Sequence, residues 1–169
     1  MNARLCRLAA ALALATVAFA PLAQADEKQD LKTLRACLGE KSEDENACID
    51  VVANPCVEEP DGSTTVGITE CLSREEAAWD VLLNERYEAQ VKSAKAMDAE
   101  LKGNAATENA TSVLKSLKTA QRAWIAYRDA ECERRWANYQ GGTIASNIAA
   151  ACTRDMTANR AIDFAPDAG

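Results

Sequence analysis

Six cysteines that follow an apolar leader constrain the folding of this chain more than any other feature. Of the seven cysteines in the sequence, Cys6 lies in the leader. The six others are Cys37, Cys48, Cys56, Cys71, Cys132 and Cys152. An even number of cysteines in an exported chain indicates disulfides. A metal site is the alternative, but the sequence has no histidine and no Cys-x-x-Cys pair. We therefore expect a fold that is stapled by disulfides, with no metal and no cofactor.

The first 25 residues predict export. Two arginines precede an apolar run from Leu8 to Phe19, and a cleavage site of small residues ends at Ala25. The run is too short for a membrane span, and Cys6 precedes it, so this cysteine is not placed for lipid attachment. We expect residues 1–25 to be a signal peptide that is cleaved after Ala25. The mature protein would then be periplasmic and have no membrane anchor.

The charge of the remaining chain limits its partners. Residues 26–169 carry 17 basic and 26 acidic side chains, since the leader holds two arginines and no acid, and their net charge is −9. A negative surface disfavours nucleic acids and anionic lipids and is suited to a basic partner. The lack of histidine removes Ser-His-Asp and Cys-His catalysis.

The spacing of apolar residues predicts an all-α fold. Apolar side chains recur every three or four residues along most of the chain, and no segment shows the alternation of a β-strand. The expected elements are a helix up to Gly39, a short helix from Ser42 to about Ala53, a loop at 55–69, two long helices that end near Lys102 and Tyr139, and a third helix through about Ile162. We predict an antiparallel helical bundle. Its expected parts are the signal peptide 1–25, an acidic N-terminal helical hairpin at 26–60 and a helical domain at 61–169.

The expected turns bear on the disulfide pairing. If the last two helices fold back at Gly141-Gly142, Cys132 and Cys152 lie at almost equal distances from the turn. We therefore predict a Cys132–Cys152 disulfide. A Cys56–Cys71 bond across the loop and a Cys37–Cys48 bond in the hairpin are compatible with the spacing, but the sequence leaves them open.

A polar seam is expected where the two long helices face each other. If they fold back around 103–106, the segments 79–87 and 120–129 lie opposite each other. A buried arginine needs a carboxylate, so we expect Asp80 to pair with Arg128. The expected network consists of Asp80, Asn84, Tyr87, Gln121 and Arg128 among Trp79 and Trp124. We favour a role in helix register over a ligand pocket. A glycosidase would need Asp80 and Glu131 as its two carboxylates, and Arg128 would keep Asp80 ionised.

The same two segments carry a resemblance to a known family. "WDVLLNERY" contributes Trp79, Asp80, Asn84 and Tyr87, and "AQRAWIAYRDAEC" contributes Gln121, Trp124, Tyr127 and Arg128. Together with "GGT" at 141–143 and Cys152, Thr157 and Arg160, they resemble the bacterial lysozyme inhibitor LprI-like domain family over about 66–164. The resemblance implies an exported, disulfide-stabilised helical domain that binds lysozyme and inhibits it. It implies no catalytic residues.

The loop at 55–69 is the expected partner surface. A disulfide across its base would hold Glu58, Glu59 and Asp61 ready to enter a groove at a low entropic cost. The alternative interpretation is that this loop only connects two helices.

The alternative function of the protein is that of a non-inhibitory periplasmic binding or envelope-stress module with another partner.

Overall fold

A computed structural model describes residues 22–102, 107 and 110–166, with side chains from residue 26 onwards. The predicted signal peptide lies outside the described residues except for its last four positions. The elements in chain order are α1 (Leu22–Glu40), a 3-10 helix (Glu45–Cys48), α2 (Ala53–Val57), α3 (Thr65–Lys102), α4 (Val113–Asn138) and α5 (Ala145–Asp163). The described residues include no strand. The predicted all-α, disulfide-stapled class is confirmed. None of the described helices is long and apolar enough to cross a membrane.

The three disulfides each join neighbouring elements. Cys37–Cys48 links α1 to the 3-10 helix, Cys56–Cys71 links α2 to α3, and Cys132–Cys152 links α4 to α5. The corresponding Cα–Cα distances are 5.8, 5.6 and 5.5 Å, which are ordinary for disulfides. The Cys132–Cys152 bond is the one that the turn at Gly141-Gly142 predicts.

The short helix predicted from Ser42 to about Ala53 is wrong. The chain forms the 3-10 helix Glu45–Cys48 there, and α2 begins at Ala53. Asp50 has a φ of 79°, which a right-handed helix does not accommodate. The backbone N–H groups of Asp50, Val52 and Ala53 are instead bound by a side chain of α3. The Ser-x-x-Glu sequence at 42–45, a pattern that often begins a helix, therefore expresses a local preference that a tertiary contact overrides.

The apolar core lies around the middle of α3. Trp79 is completely buried there with Leu34 of α1, Leu83 of α3, and Ala158 and Ala161 of α5. The small alanines allow α5 to approach α3 closely, and α3 packs more extensively against α5 than against any other helix. The helix α5 also packs against α4, so it borders both long helices.

The helix α4 is the most exposed of the long elements. Among its residues, all of which are described, Gln121 and Cys132 are the buried ones. Its start is fixed by Asp98 of α3, whose carboxylate accepts hydrogen bonds from Ser112 Oγ at 2.6 Å and Val113 N at 2.7 Å. These bonds lower the pKa of Asp98. An acid at this end of α4 also interacts favourably with the helix dipole.

Candidate functional site

The predicted ion pair between Asp80 and Arg128 is wrong. The guanidinium of Arg128 pairs with its chain neighbour Asp129, with Nη2 and Oδ1 separated by 2.9 Å. The carboxylate of Asp80 accepts a hydrogen bond from Asn84 Nδ2, one turn along the same helix, at 2.9 Å. None of the ion pairs among the described residues joins Asp80 to Arg128. The two side chains nevertheless border the same groove.

The reason lies in the position of α5, which contributes side chains to the contact between α3 and α4. Arg128 Nη1 donates to Thr157 Oγ1 at 3.2 Å, and this hydroxyl also lies 3.4 Å from Glu76 Oε1. Gln121 Oε1 accepts a hydrogen bond from Arg160 Nε at 3.1 Å. Arg128 and Gln121 of α4 therefore reach partners on α5 rather than on α3. The sequence-based prediction considered only the contact between α3 and α4, so it did not include these partners on α5.

The other residues of the predicted seam lie in four different environments. Trp79 is part of the apolar core. The half-buried Trp124 lies within cation–π distance of two guanidinium carbons, at 5.2 Å from Arg128 and 5.7 Å from Arg160. Tyr87 packs on the ring of Phe164 at a centroid distance of 6.0 Å. Asn84 and Tyr127 are exposed, so the expected single network does not form.

A more deeply buried polar cluster surrounds Glu75, about one turn before Asp80 on α3. The carboxylate of Glu75 is inaccessible to solvent. It accepts hydrogen bonds from the backbone N–H groups of Asp50 at 2.7 Å, Val52 at 2.9 Å and Ala53 at 2.7 Å. Sequence reasoning missed this cluster, although Glu75 lies four residues before Trp79 and therefore on the same buried face of α3.

Arg154 of α5 completes the Glu75 cluster. Its side chain is 7% exposed and forms ion pairs with Asp50, Asp155 and Glu75. Burial lowers the pKa of Arg154, but the hydrogen bond to Asp50 and the charges of the three carboxylates outweigh it, so the pKa is raised overall. The cluster therefore ties the segment before α2 to both α3 and α5. It fixes the start of α2 and therefore the position of the connection from α2 to α3.

The loop itself is closely packed at two glycines. A Cβ atom at Gly62 would clash with the carbonyl oxygen of Cys56, and one at Gly67 would clash with the carbonyl oxygen of Asp61. Both contacts are with backbone atoms, so larger residues would require the loop to move. The Cys56–Cys71 disulfide closes the same region covalently.

Thr64 fixes the end of this loop and the start of α3. Its hydroxyl donates to the carbonyl oxygen of Asp61 at 2.8 Å and accepts from the N–H of Gly67 at 3.0 Å, as an N-cap residue does. The side chains of Glu58, Glu59 and Asp61 are exposed on this framework. The predicted loop at 55–69 is too long at both ends, because residues 55–57 belong to α2 and residues 65–69 to α3. The remaining connection, residues 58–64, is rigid and acidic, and we call it the stapled loop.

Acidic residues of α1 lie close to the stapled loop. Arg74 is held by Asp30, with Nη2–Oδ1 and Nε–Oδ2 distances of 2.8 and 2.9 Å. The hydrogen bond to Asp30 raises the pKa of Arg74 against the effect of burial, and the charges of Asp30, Glu59 and Asp26 raise it further. Residues from α1 and from the stapled loop thus share one negative surface around a single arginine.

A groove of about 460 Å³ lies between α1, α3 and α4. Its apolar side consists of Leu31 and Val81, with alanines of α3, and its polar side includes Glu76, Asp80 and Arg128. Burial, followed by the charge of Asp80, raises the pKa of Glu76. In the described ranges, no group of three or more histidine, cysteine, aspartate or glutamate side chains is arranged to hold a metal ion.

The two carboxylates that a glycosidase would require are not arranged for that chemistry. The side chain of Glu131 lies between Arg134 and Arg135, with Oε2–Nε and Oε1–Nε distances of 2.7 and 2.9 Å. The hydrogen bonds to Arg134 and Arg135 lower the pKa of Glu131 to about 2. A general acid needs a raised pKa, so Glu131 is unsuited to donate a proton near neutral pH.

Comparisons with known proteins match the part of the chain that contains α3, α4 and α5. The family model described as lysozyme inhibitor LprI matches residues 56–164. An uncharacterized protein of Rhizobium meliloti (strain 1021) is 33% identical over 121 residues, which cover 69% of this chain and 85% of that protein. No solved structure matches the chain. The family match begins at Cys56, ten residues before the sequence motifs predict, and therefore includes the stapled loop and its disulfide.

Proposed function

The chain belongs to the lysozyme inhibitor LprI family, and we propose that it binds lysozyme and occludes it, which protects the cell wall. In this proposal the protein acts by binding alone, without a cofactor and without catalysis. The observation that carries the proposal is the stapled loop. It presents Glu58, Glu59 and Asp61 from a backbone that a disulfide, two closely packed glycines and the Thr64 cap hold in place.

Rigidity and charge both support a role of this loop in inhibition. A loop that is already ordered loses little conformational entropy when it enters a groove on a partner. Many lysozymes are basic proteins, and a negative surface speeds the encounter with such a partner and aligns it. The acids of α1 near Arg74 extend the negative surface beyond the loop itself.

We propose a periplasmic location for the same protein. Three disulfides require an oxidising compartment. Cleavage after Ala25 would leave Asp26 and Glu27 in the first turn of α1, where negative charge is favourable for a helix. The cleavage site is therefore compatible with a stable α1 in the mature protein.

A second candidate function is a non-inhibitory binding module of the cell envelope. The groove between α1, α3 and α4 favours it, because its apolar side and the charged Arg128 suit a small amphipathic ligand. Retained folding with no inhibition of any lysozyme type would favour this candidate over the first.

The decisive experiment is a titration of the oxidised protein into a cell-wall lysis assay with a basic animal lysozyme. We expect saturable inhibition near one-to-one stoichiometry, and weaker inhibition at higher salt because surface charges are screened. Lysis that is unchanged at a large excess of the protein, across several lysozyme types, would contradict the proposal.

A matched pair of triple variants tests the stapled loop. We expect Glu58→Gln, Glu59→Gln and Asp61→Asn together to weaken inhibition about tenfold or more. Asparagine tolerates the positive φ of Asp61, which is 67°. The control variant replaces Glu43, Glu88 and Glu100 by glutamine. These exposed residues change the net charge equally but lie outside the loop. Equal effects of both variants would show that only net charge matters.

A further inference from the structure

Exposed large apolar side chains are concentrated around the turn between α4 and α5. Trp136 is 41% exposed, Tyr139 49% and Ile144 50%, and Val66 at the start of α3 is 76% exposed. Aromatic side chains of this kind are enriched at the centres of protein–protein interfaces. We call Val66, Trp136, Tyr139 and Ile144 the apolar end patch.

The apolar end patch lies at the same end of the bundle as the stapled loop. Thr69 Oγ1 forms hydrogen bonds with Ser146 Oγ at 3.2 Å and Asn147 Oδ1 at 2.8 Å. These bonds hold the first turns of α3 and α5 side by side. Val66 also borders a hollow of about 230 Å³ together with Glu59 and Asp61. The acidic loop and the apolar patch therefore lie at the same end of the bundle, and Val66 adjoins both the loop and the start of α3.

The turn that carries the patch is held in one conformation. The N–H of Tyr139 donates to the carbonyl oxygen of Trp136, and the N–H of Gly142 donates to that of Tyr139, both at 3.0 Å. Gly141 has a φ of 90°, which favours glycine. The Cys132–Cys152 disulfide joins the two helices close to this turn. The patch is thus preorganised in the same way as the stapled loop.

A groove of about 490 Å³ between α4 and α5 adjoins the patch and adds negative charge to it. Trp136, Asp129 and Glu133 line it from α4, and Ala149 and Thr153 line it from α5. Among the described residues, the side chain of Glu133 has neither a hydrogen bond nor an ion pair, and Asp129 binds Arg128 through Oδ1. An exposed indole at the end of a row of two carboxylates is suited to the side chain of an arginine or lysine.

We propose that the apolar end patch and this groove form the second half of the lysozyme-binding surface, opposite a basic face of the enzyme. The inference rests on the proposed function and extends it, since the stapled loop would then be one of two contacts. Charge complementarity selects the occupant. Glu59 and Asp61 border the hollow beside Val66, Asp129 and Glu133 line the groove with Trp136, and the net charge of residues 26–169 is −9.

Fluorine NMR of the oxidised protein with 5-fluorotryptophan tests this surface directly. The chain has three tryptophans, of which Trp79 is buried in the core, Trp124 is half-buried against two arginines and Trp136 belongs to the patch. Tryptophan-to-phenylalanine variants assign the three signals. On addition of unlabelled basic lysozyme, we expect the Trp136 signal to shift saturably, at the stoichiometry of inhibition, and the Trp79 signal to stay in place.

The outcomes separate this inference from the proposed function. Inhibition with an unmoved Trp136 signal would overturn the second contact and leave the stapled loop as the inhibitory element. The absence of both inhibition and any shift would overturn both proposals. A shift of Trp136 that coincides with inhibition supports both.

A binding measurement with matched variants completes the test. We expect Trp136→Ala and Tyr139→Ala each to weaken lysozyme binding about tenfold or more. The control is Tyr127→Ala. Tyr127 is 61% exposed on the same helix and, nine residues before Trp136, projects about half a turn away from it. Its variant should bind within about twofold of the parent, and an equal loss in all three variants would overturn the proposal.

Discussion

The two polar clusters of this bundle differ in how far water reaches them. Around Glu75 and Arg154, the carboxylate is inaccessible, the guanidinium is 7% exposed, and each has several partners within the protein. Around Arg128, the partner Asp129 has a side chain that is 61% exposed. Asp80 is satisfied within its own helix. The first cluster joins the segment before α2 to α3 and α5, and the second borders a groove.

This difference indicates where the free energy of unfolding is sensitive to polar substitutions. A buried charge that loses its partner keeps the whole cost of its desolvation. An exposed charge regains water when its partner is removed, and surface ion pairs contribute little. We therefore expect substitutions in the Glu75 cluster to lower the free energy of unfolding most, although the sequence motifs include Arg128 and not Glu75.

The largest effect is expected for Glu75→Gln. It places an amide among three backbone donors and leaves Arg154 without its buried carboxylate. We expect the free energy of unfolding to fall by about 4 kcal/mol, as measured by denaturant unfolding. The control is Glu70→Gln, an exposed position on the same helix, which should change it by less than about 0.5 kcal/mol. Equal effects at both positions would contradict the importance of the buried cluster.

Removal of the disulfide between α4 and α5 comes next. The bond spans 20 residues, and Cys132→Ser with Cys152→Ser should cost about 3 kcal/mol. Because α4 buries few of its residues, we expect its amides to exchange with deuterium before those of α3. The control is the variant with Cys37→Ser and Cys48→Ser. In this control, the amides of α4 should exchange with deuterium as slowly as they do in the parent protein. If the amides of α3 exchanged faster than those of α4 in the variant without the Cys132–Cys152 bond, the prediction that α4 is the less stable helix would be contradicted.

A smaller effect is expected for Arg128→Met. This variant removes the ion pair with Asp129 and the hydrogen bond to Thr157 but leaves no buried carboxylate without a partner. We expect a loss of about 1 kcal/mol, against a change near zero for the exposed Arg122→Met. A loss as large as that of Glu75→Gln would show that the cluster around Arg128 is equally important for stability.

The smallest effect concerns Glu76, whose pKa is raised by burial and by Asp80. The folded protein binds this proton more tightly than the unfolded chain does. Ionisation of Glu76 therefore costs stability as the pH rises above its ordinary pKa, and the cost is absent below that value. We expect Glu76→Gln to raise the melting temperature by about 1–2 °C at neutral pH and not at about pH 4. A gain of equal size at both pH values would contradict the assignment.

Fold class and one disulfide follow from local features of the sequence. The helical periodicity and the turn at Gly141-Gly142 are properties of contiguous residues, and they lead to the all-α bundle and to the Cys132–Cys152 pair. The short helix after Ser42 shows the limit of such reasoning, because the Glu75 carboxylate takes the backbone N–H groups that a helix would have used.

Only the tertiary structure decided which polar residues meet. The seam motifs could be placed on facing helices, but the position of α5 relative to α3 and α4 was not encoded in any local pattern. Because of that position, Arg128 forms a hydrogen bond with Thr157, and Gln121 forms one with Arg160. It also placed the turn after α4 beside the stapled loop. The sequence by itself determined the helices and their stapling, because both depend on spacing along the chain. The polar contacts between different helices depend on how the helices pack, and packing is a property of the whole fold.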